Sequence, residues 1–240
     1  MLCKLTDENS LTHGNTLWGP GIRHEATGPL DGGLCTNSWI HYYSHPLLAV
    51  MLNPIHVNFA KPLGWAVSIE GLTRDDNGLK MGCRALTTLH QIDLPVVTTA
   101  QRVRFAILCG QAIIGTDLPE WSTWAEGWLN GTNRAADAAQ AAARSDAQAA
   151  VWAARATGWA AWATARSAAQ AAAQAAARSD AQAAARSAAQ AAVWAARATA
   201  RADSIDLLAL AQLAIAEEDR MIVKWLKPRG DHDADPNETD

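Results

Sequence analysis

Residues 65–92 read WAVSIEGLTRDDNGLKMGCRALTTLHQI, and their pattern decides what kind of fold the first half of the chain makes. Trp65, Val67 and Ile69 alternate with Ala66, Ser68 and Glu70, the two-residue period of a half-buried strand. Asp75-Asp76-Asn77-Gly78 then carries side chains that bond their own backbone and residues that tolerate positive φ, so the chain is expected to turn there. It returns through residues 79–92 as a second strand or a pair of strands.

Before this hairpin, residues 1–5 form an expected edge strand, and Gly14, Gly19, Pro20, Gly21, Gly28, Pro29, Gly32 and Gly33 punctuate an irregular stretch. A helix is expected over 46–52, with Pro46 at its first position, Ser44 or His45 as cap and Asn53-Pro54 as its end. Thr98-Thr99-Ala100-Gln101 fits a capping box ahead of Val103, Ala106, Ile107 and Ala112 at helical spacing. Asp117-Leu118-Pro119-Glu120 opens another helix bearing Trp121, Trp124 and Trp128, which Asn130-Gly131 closes. Residues 1–131 are therefore expected to be an α+β domain.

The next part changes character. Of the 69 residues in 134–202, 38 are Ala, and AAQAAARSDAQAA at 138–150 recurs verbatim at 172–184. Alanine has the highest helix propensity and the stretch has no Pro, so residues 132–202 are expected to be an Ala-rich all-α region, as one long helix or a helical hairpin. Residues 203–227, with Ser204 as cap and Leu207, Leu208, Leu210, Leu213, Ile215, Met221, Ile222, Trp225 and Leu226 as apolar side chains, are expected to form a C-terminal amphipathic helix. An acidic tail follows over 228–240.

The net charge of −4 divides unevenly along these seams: −3 over 1–133, +5 over 134–202 and −6 over 203–240. A basic helical stretch attracts phosphates, but acidic residues in the same chain can neutralise it, so nucleic acid is not the favoured partner. Lys4, Asp7 and Glu8 interrupt the place where an export signal would need an apolar run. Arginines break the Ala-rich stretch too often for a membrane span. Cys3, Cys35, Cys83 and Cys109 are scattered without paired spacing. They are read as reduced thiols, and the chain as cytoplasmic.

LTDEN at 5–9, THG at 12–14, WIH at 39–41, PLLAVMLNPIH at 46–56 and TTAQRVRFAILC at 98–109 together resemble a family of uncharacterised bacteriophage and prophage proteins. In that family a small N-terminal domain of unknown function precedes Ala-rich repeats. The resemblance covers residues 1–130, and the Ala-rich part in composition alone. It implies a phage origin and action in the host cytoplasm, and no particular reaction.

Three sets of residues are candidates for a site. His13, then Tyr42 or Tyr43, then Glu70 follow the order of the His, Tyr and Glu of ADP-ribosyltransferases, where the first two hold a nicotinamide dinucleotide and the third stabilises developing positive charge. Core or surface residues with structural hydrogen bonds account for the same spacing. Cys35, His41 and His45 have the chemistry of zinc ligands but not the usual paired spacing, and a buried cysteine with helix-capping histidines is the favoured account, so no metal is expected.

The third set is the Ala-rich stripe. Arg144, Trp152, Arg155, Trp159, Trp162 and Arg166 fall on one helical face, and Trp194 and Arg197 repeat the chemistry later. Trp and Arg on the same face suit a protein partner with acidic and apolar features, or nucleic acid, rather than a membrane interface. The competing account has these side chains closing the rim of an Ala-packed bundle. The function read from the sequence is a non-enzymatic phage interaction protein that binds or inhibits a host factor, counter-defence being one such role, with a host or phage protein as partner, Ala-rich helices used for packing or oligomerisation, and no cofactor. An ADP-ribosyltransferase-like enzyme and a nucleic-acid or nucleotide binder are the alternatives.

Overall fold

A computed structural model describes residues 1–114, 119–135 and 205–216, with Gln174, Arg186, Ser187, Gln190 and Ala191. The order is β1 (Cys3–Thr6), β2 (Leu11–Thr12), β3 (Thr16–Leu17), β4 (Arg23–Glu25), β5 (Ile40–Tyr42), α1 (Pro46–His56), β6 (Leu63–Asp75), β7 (Met81–Ile92), α2 (Thr99–Ile114), α3 (Pro119–Leu129) and α4 (Leu207–Ile215). The main sheet is antiparallel and five-stranded, in the order β1-β6-β7-β4, with β5 also paired to β7.

The β6–β7 hairpin is its spine. Asp75 Oδ1 accepts from Gly78 N at 2.9 Å, Asp76 and Leu79 close the turn, and Asn77 and Gly78 take the positive φ that the turn requires. Two register shifts bend the ladder. The second adds a residue to β6 between Glu70 and Thr73, where Gly71 has φ 76°. Residues 79–92, left open as one strand or two, form the single strand β7 from Met81.

The two faces of the sheet pack differently. Trp65, Val67, Tyr42, Cys83, Leu86 and Trp18 form one buried cluster, with Ile69 against it. Cys3 and Leu5, which alternate with Lys4 on β1, join the larger core made with α1, α2, α3 and α4.

Helix α1 runs four residues further than the sequence implies, through Pro54. A proline there removes the N–H that would bond the carbonyl of Val50 four residues earlier. Arg102 Nη1 donates to that carbonyl at 2.9 Å instead, so α2 completes α1. The helix ends at His56 with Val57 as its cap, Asn58 beyond it has φ 54°, and Asn53 clamps Phe59 through both its side-chain atoms. The cap is His45, whose Nδ1 accepts from Leu47 N. The capping box on α2 forms as expected, with Gln101 Oε1 accepting from Thr98 N and Thr98 Oγ1 from Gln101 N.

The expected fold class is corrected at the C-terminal half. The described residues make one mixed α/β unit, a five-stranded antiparallel sheet with four helices, and no Ala-rich all-α region is part of it. The helix expected over 203–227 is described as nine residues, Leu207–Ile215, capped by Asp206 and not Ser204. Ala216 beyond it has extended backbone, and residues 217–240, including the acidic tail, lie outside the described residues. Leu207, Ala211 and Ala214 are buried among α1 and α2, so α4 completes the N-terminal core rather than a separate layer. The physical reason is burial: α1 and α2 are apolar on more sides than the sheet can cover, and α4 covers the remainder.

Candidate functional site

The three residues of the NAD reading do not share a cleft. His13 lies exposed in the short 3-10 turn His13–Asn15 between β2 and β3. Tyr42 is buried in the cluster with Trp18 and Trp65. Ile69 packs against that cluster, so Glu70, next to it in an unbroken part of β6, projects from the opposite face. There Arg23 Nη2 bonds Glu70 Oε2 at 3.0 Å and Arg23 Nε bonds its other oxygen, which holds the carboxyl below its ordinary range. Glu70 is a surface ion-pair partner, and the ADP-ribosyltransferase-like arrangement is absent among the described residues.

The three zinc candidates are likewise occupied separately. Lys80 Nζ reaches the exposed Cys35 Sγ at 3.1 Å. The His41 ring bonds the Leu34 carbonyl, and His45 caps α1. Among the described residues no group of three or more His, Cys, Asp or Glu side chains is placed to hold a metal ion.

What the fold gathers instead is a basic and aromatic corner where residues 26–39 cross β7. Arg84 donates to the carbonyls of Ser38 and Ala26, and Arg74 Nη1 to that of Gly32 at 2.9 Å. Trp39 Nε1 donates to the same Gly32 carbonyl, and both guanidinium groups lie about 6 Å from its ring centre. Ser38 is wholly buried against Gly28 and Gly32, where a β-carbon at either glycine would overlap its hydroxyl.

Three titratable groups elsewhere in the fold have their behaviour decided by burial. Lys4 is buried with its Nζ bonded to the His41 carbonyl at 2.9 Å, and burial lowers its pKa to about 8. His56 stacks on Tyr43 and is 3.1 Å from its hydroxyl. Burial, then the nearby Lys80 and His41 charges, lower His56 to about 4. Burial likewise holds the Tyr43 phenol protonated far beyond its ordinary range. Sequence reading missed Lys4, Trp39, His56, Arg74 and Arg84, since Arg74 and Arg84 lie 35 and 45 positions from Trp39 and no local motif joins them.

Arg144, Trp152, Arg155, Trp159, Trp162, Arg166, Trp194 and Arg197 lie outside the described residues. Five neighbours in the Ala-rich stretch do not. Gln174, Arg186, Ser187, Gln190 and Ala191 have helical backbone, and Gln174 and Arg186 are exposed while Ala191 is fully buried in the main core. The entry to the stretch is also fixed, because Arg134 stacks 5.0 Å from the Trp128 ring centre and Arg134 Nε donates to the Trp128 carbonyl. No helix among the described residues is long and apolar enough to cross a membrane. Comparisons with protein-family models, with curated proteins and with solved structures find no match to the chain.

Proposed function

We propose that the protein is a non-enzymatic interaction protein of phage type, acting in the host cytoplasm, which binds a host protein through the basic side chains of its Ala-rich stretch. The observation that carries this reading is the sorting of side chains at its described positions. Ala191 goes into the core, while Gln174 and Arg186 face solvent. At these three positions a methyl packs and two long polar side chains are free of the core, which is the arrangement a recognition stripe needs. A net +5 over 134–202, with Trp interspersed, suits an acidic protein surface that also offers apolar contact. The candidate catalytic residues lend no support to an enzyme, since Tyr42 and Glu70 belong to opposite faces of the sheet.

The test is affinity capture from host cells by the full chain and by a variant with Arg144, Arg155, Arg166, Arg186 and Arg197 changed to Gln. The reading expects a host protein retained by the unaltered chain, released by salt and lost from the variant. The same proteins on both baits, or nuclease-sensitive capture of nucleic acid alone, would overturn it. Release of nicotinamide from NAD by the purified chain would reinstate the enzyme.

A further inference from the structure

We propose that the face of the β6–β7 hairpin around Gly82 is a binding site for a dianionic phosphoryl group, held by Arg74, Lys80 and Arg84. The placement follows from the ladder. Arg74 stands opposite Gly82, and Arg84 lies two positions further along β7. Lys80 lies two positions before Gly82, where the Asp76 N to Lys80 O bond continues the pairing. Residues two apart on a strand share a face, so the three cations surround one glycine. The space that a β-carbon of Gly82 would take is filled by Leu34 Cδ1 and Trp39 Cβ. The cations therefore stand around the point where the crossing segment plugs into the sheet.

What each cation touches orients it without neutralising it. Arg74 Nη1 donates to the Gly32 carbonyl, Arg84 to the carbonyls of Ala26 and Ser38, and Lys80 Nζ to Cys35 Sγ. A carbonyl or thiol acceptor fixes a donor in place and leaves its charge, in contrast to Arg23, which Glu25 and Glu70 cancel. Among the described residues no carboxylate lies within ion-pair distance of Arg74, Lys80 or Arg84. Asp75, next to Arg74 in sequence, uses Oδ1 to cap the turn at Gly78 N.

The charge count selects the ligand. Three like charges held around one residue repel one another, and a dianion with three terminal oxygens answers most of that repulsion, whereas a carboxylate answers a third of it. Donors remain for those oxygens, since Arg74 uses one of its five N–H groups on Gly32 and Lys80 one of its three on Cys35. The turn that carries Cys35 adds more. Thr36 N and Oγ1 close it on the Gly33 carbonyl, while the N–H groups of Leu34 and Cys35 have no described acceptor. These groups are fixed before a ligand arrives, so little ordering is left for binding to impose. The site uses no residue of the Ala-rich stretch and is independent of the host-protein contact proposed above.

The probe is phenyl phosphate added to the full chain at mildly alkaline pH, read as protection of Cys35 from a neutral alkylating reagent, with benzoate as the singly charged control. Saturable protection by phenyl phosphate is expected, with binding about tenfold or more weaker for benzoate and for the Arg74→Gln and Lys80→Gln variants. Arg23→Gln, whose cation is already paired elsewhere, should leave the midpoint unchanged. Amide NMR reads the same titration without the thiol, and the Leu34 and Cys35 signals should move with the same midpoint. A phosphoserine peptide that binds more tightly than phenyl phosphate supports a phosphorylated protein as the source, and inorganic phosphate that binds as tightly as the peptide supports free phosphate. No saturable protection, benzoate as effective as phenyl phosphate, or a midpoint that shifts as much in Arg23→Gln as in the other two variants would each overturn the proposal.

Discussion

The Lys4 ammonium lies 4.5 Å from the centre of the Trp18 ring, on the face of β1 opposite Cys3 and Leu5, and its one described hydrogen bond goes to the His41 carbonyl. A cation removed from water and answered by a ring face and a carbonyl dipole is only partly compensated. The pH dependence of stability should record that imbalance.

Burial lowers Lys4 from 10.5 to about 8, so between those values the unfolded chain binds a proton that the folded chain does not. Stability attributable to Lys4 therefore rises with pH from about 8 upward, and below pH 8 the full cost of the buried charge is felt. Above pH 9 the buried thiols of Cys3 and Cys83, both raised to about 11, act in the opposite direction, so the comparison must be made against a variant. Lys4→Met should be more stable than the unaltered chain at pH 7 by about 1–3 kcal/mol, with the gap closing towards pH 10. Urea melts of both chains at the two pH values check this, and a gap that does not change with pH would count against it.

His56 sets the acid limb. It is lowered from 6.5 to about 4, so as pH falls through that interval the unfolded chain takes up the proton first and stability is lost. A loss of roughly 2–3 kcal/mol between pH 6.5 and 4 is expected from this group. His56→Phe, which keeps the stack on Tyr43, should flatten that limb in denaturant melts while costing about 1 kcal/mol at neutral pH because the Tyr43 bond is gone.

Ser38 and Gly32 give a test of packing without charge. The Ser38 hydroxyl is buried and has no hydrogen-bond partner among the described residues, so Ser38→Ala should be neutral or stabilising by up to about 1 kcal/mol. Gly32→Ala should cost roughly 1–3 kcal/mol, because its methyl would enter the space of the Ser38 side chain. Thermal melts of the two variants should move in opposite directions or leave Ser38→Ala unmoved.

The thiols divide by exposure. Cys35 is exposed and Cys3, Cys83 and Cys109 are buried, and burial raises the last three. A thiol reagent at neutral pH should modify one cysteine quickly in the folded chain and all four in urea. Cys35→Ser should abolish the fast phase.

Leu207→Ala should cost roughly 2–4 kcal/mol, since the side chain is buried where α4 meets α1 and α2. Changing the exposed Gln212 to Ala on the same helix should leave the melting temperature nearly unchanged.

Elements with a local cause are legible in the sequence. The DDNG turn, the alternation of Trp65, Val67 and Ile69, the Thr98–Gln101 capping box and the Pro119 start of α3 are set by residues within a few positions of one another. Tertiary structure alone decided the rest. Helix α1 passes Pro54 because Arg102, 48 residues away, supplies the missing donor to Val50. Glu70 left the company of Tyr42 because one position along a strand is the other side of a sheet. Lys4 became a buried cation because β1 has packing on both faces, whereas the sequence shows only a polar residue between Cys3 and Leu5. Alternating patterns report local periodicity, but which face is covered, and by which distant helix, is fixed only when β1 pairs with β6 and α4 packs on α1 and α2.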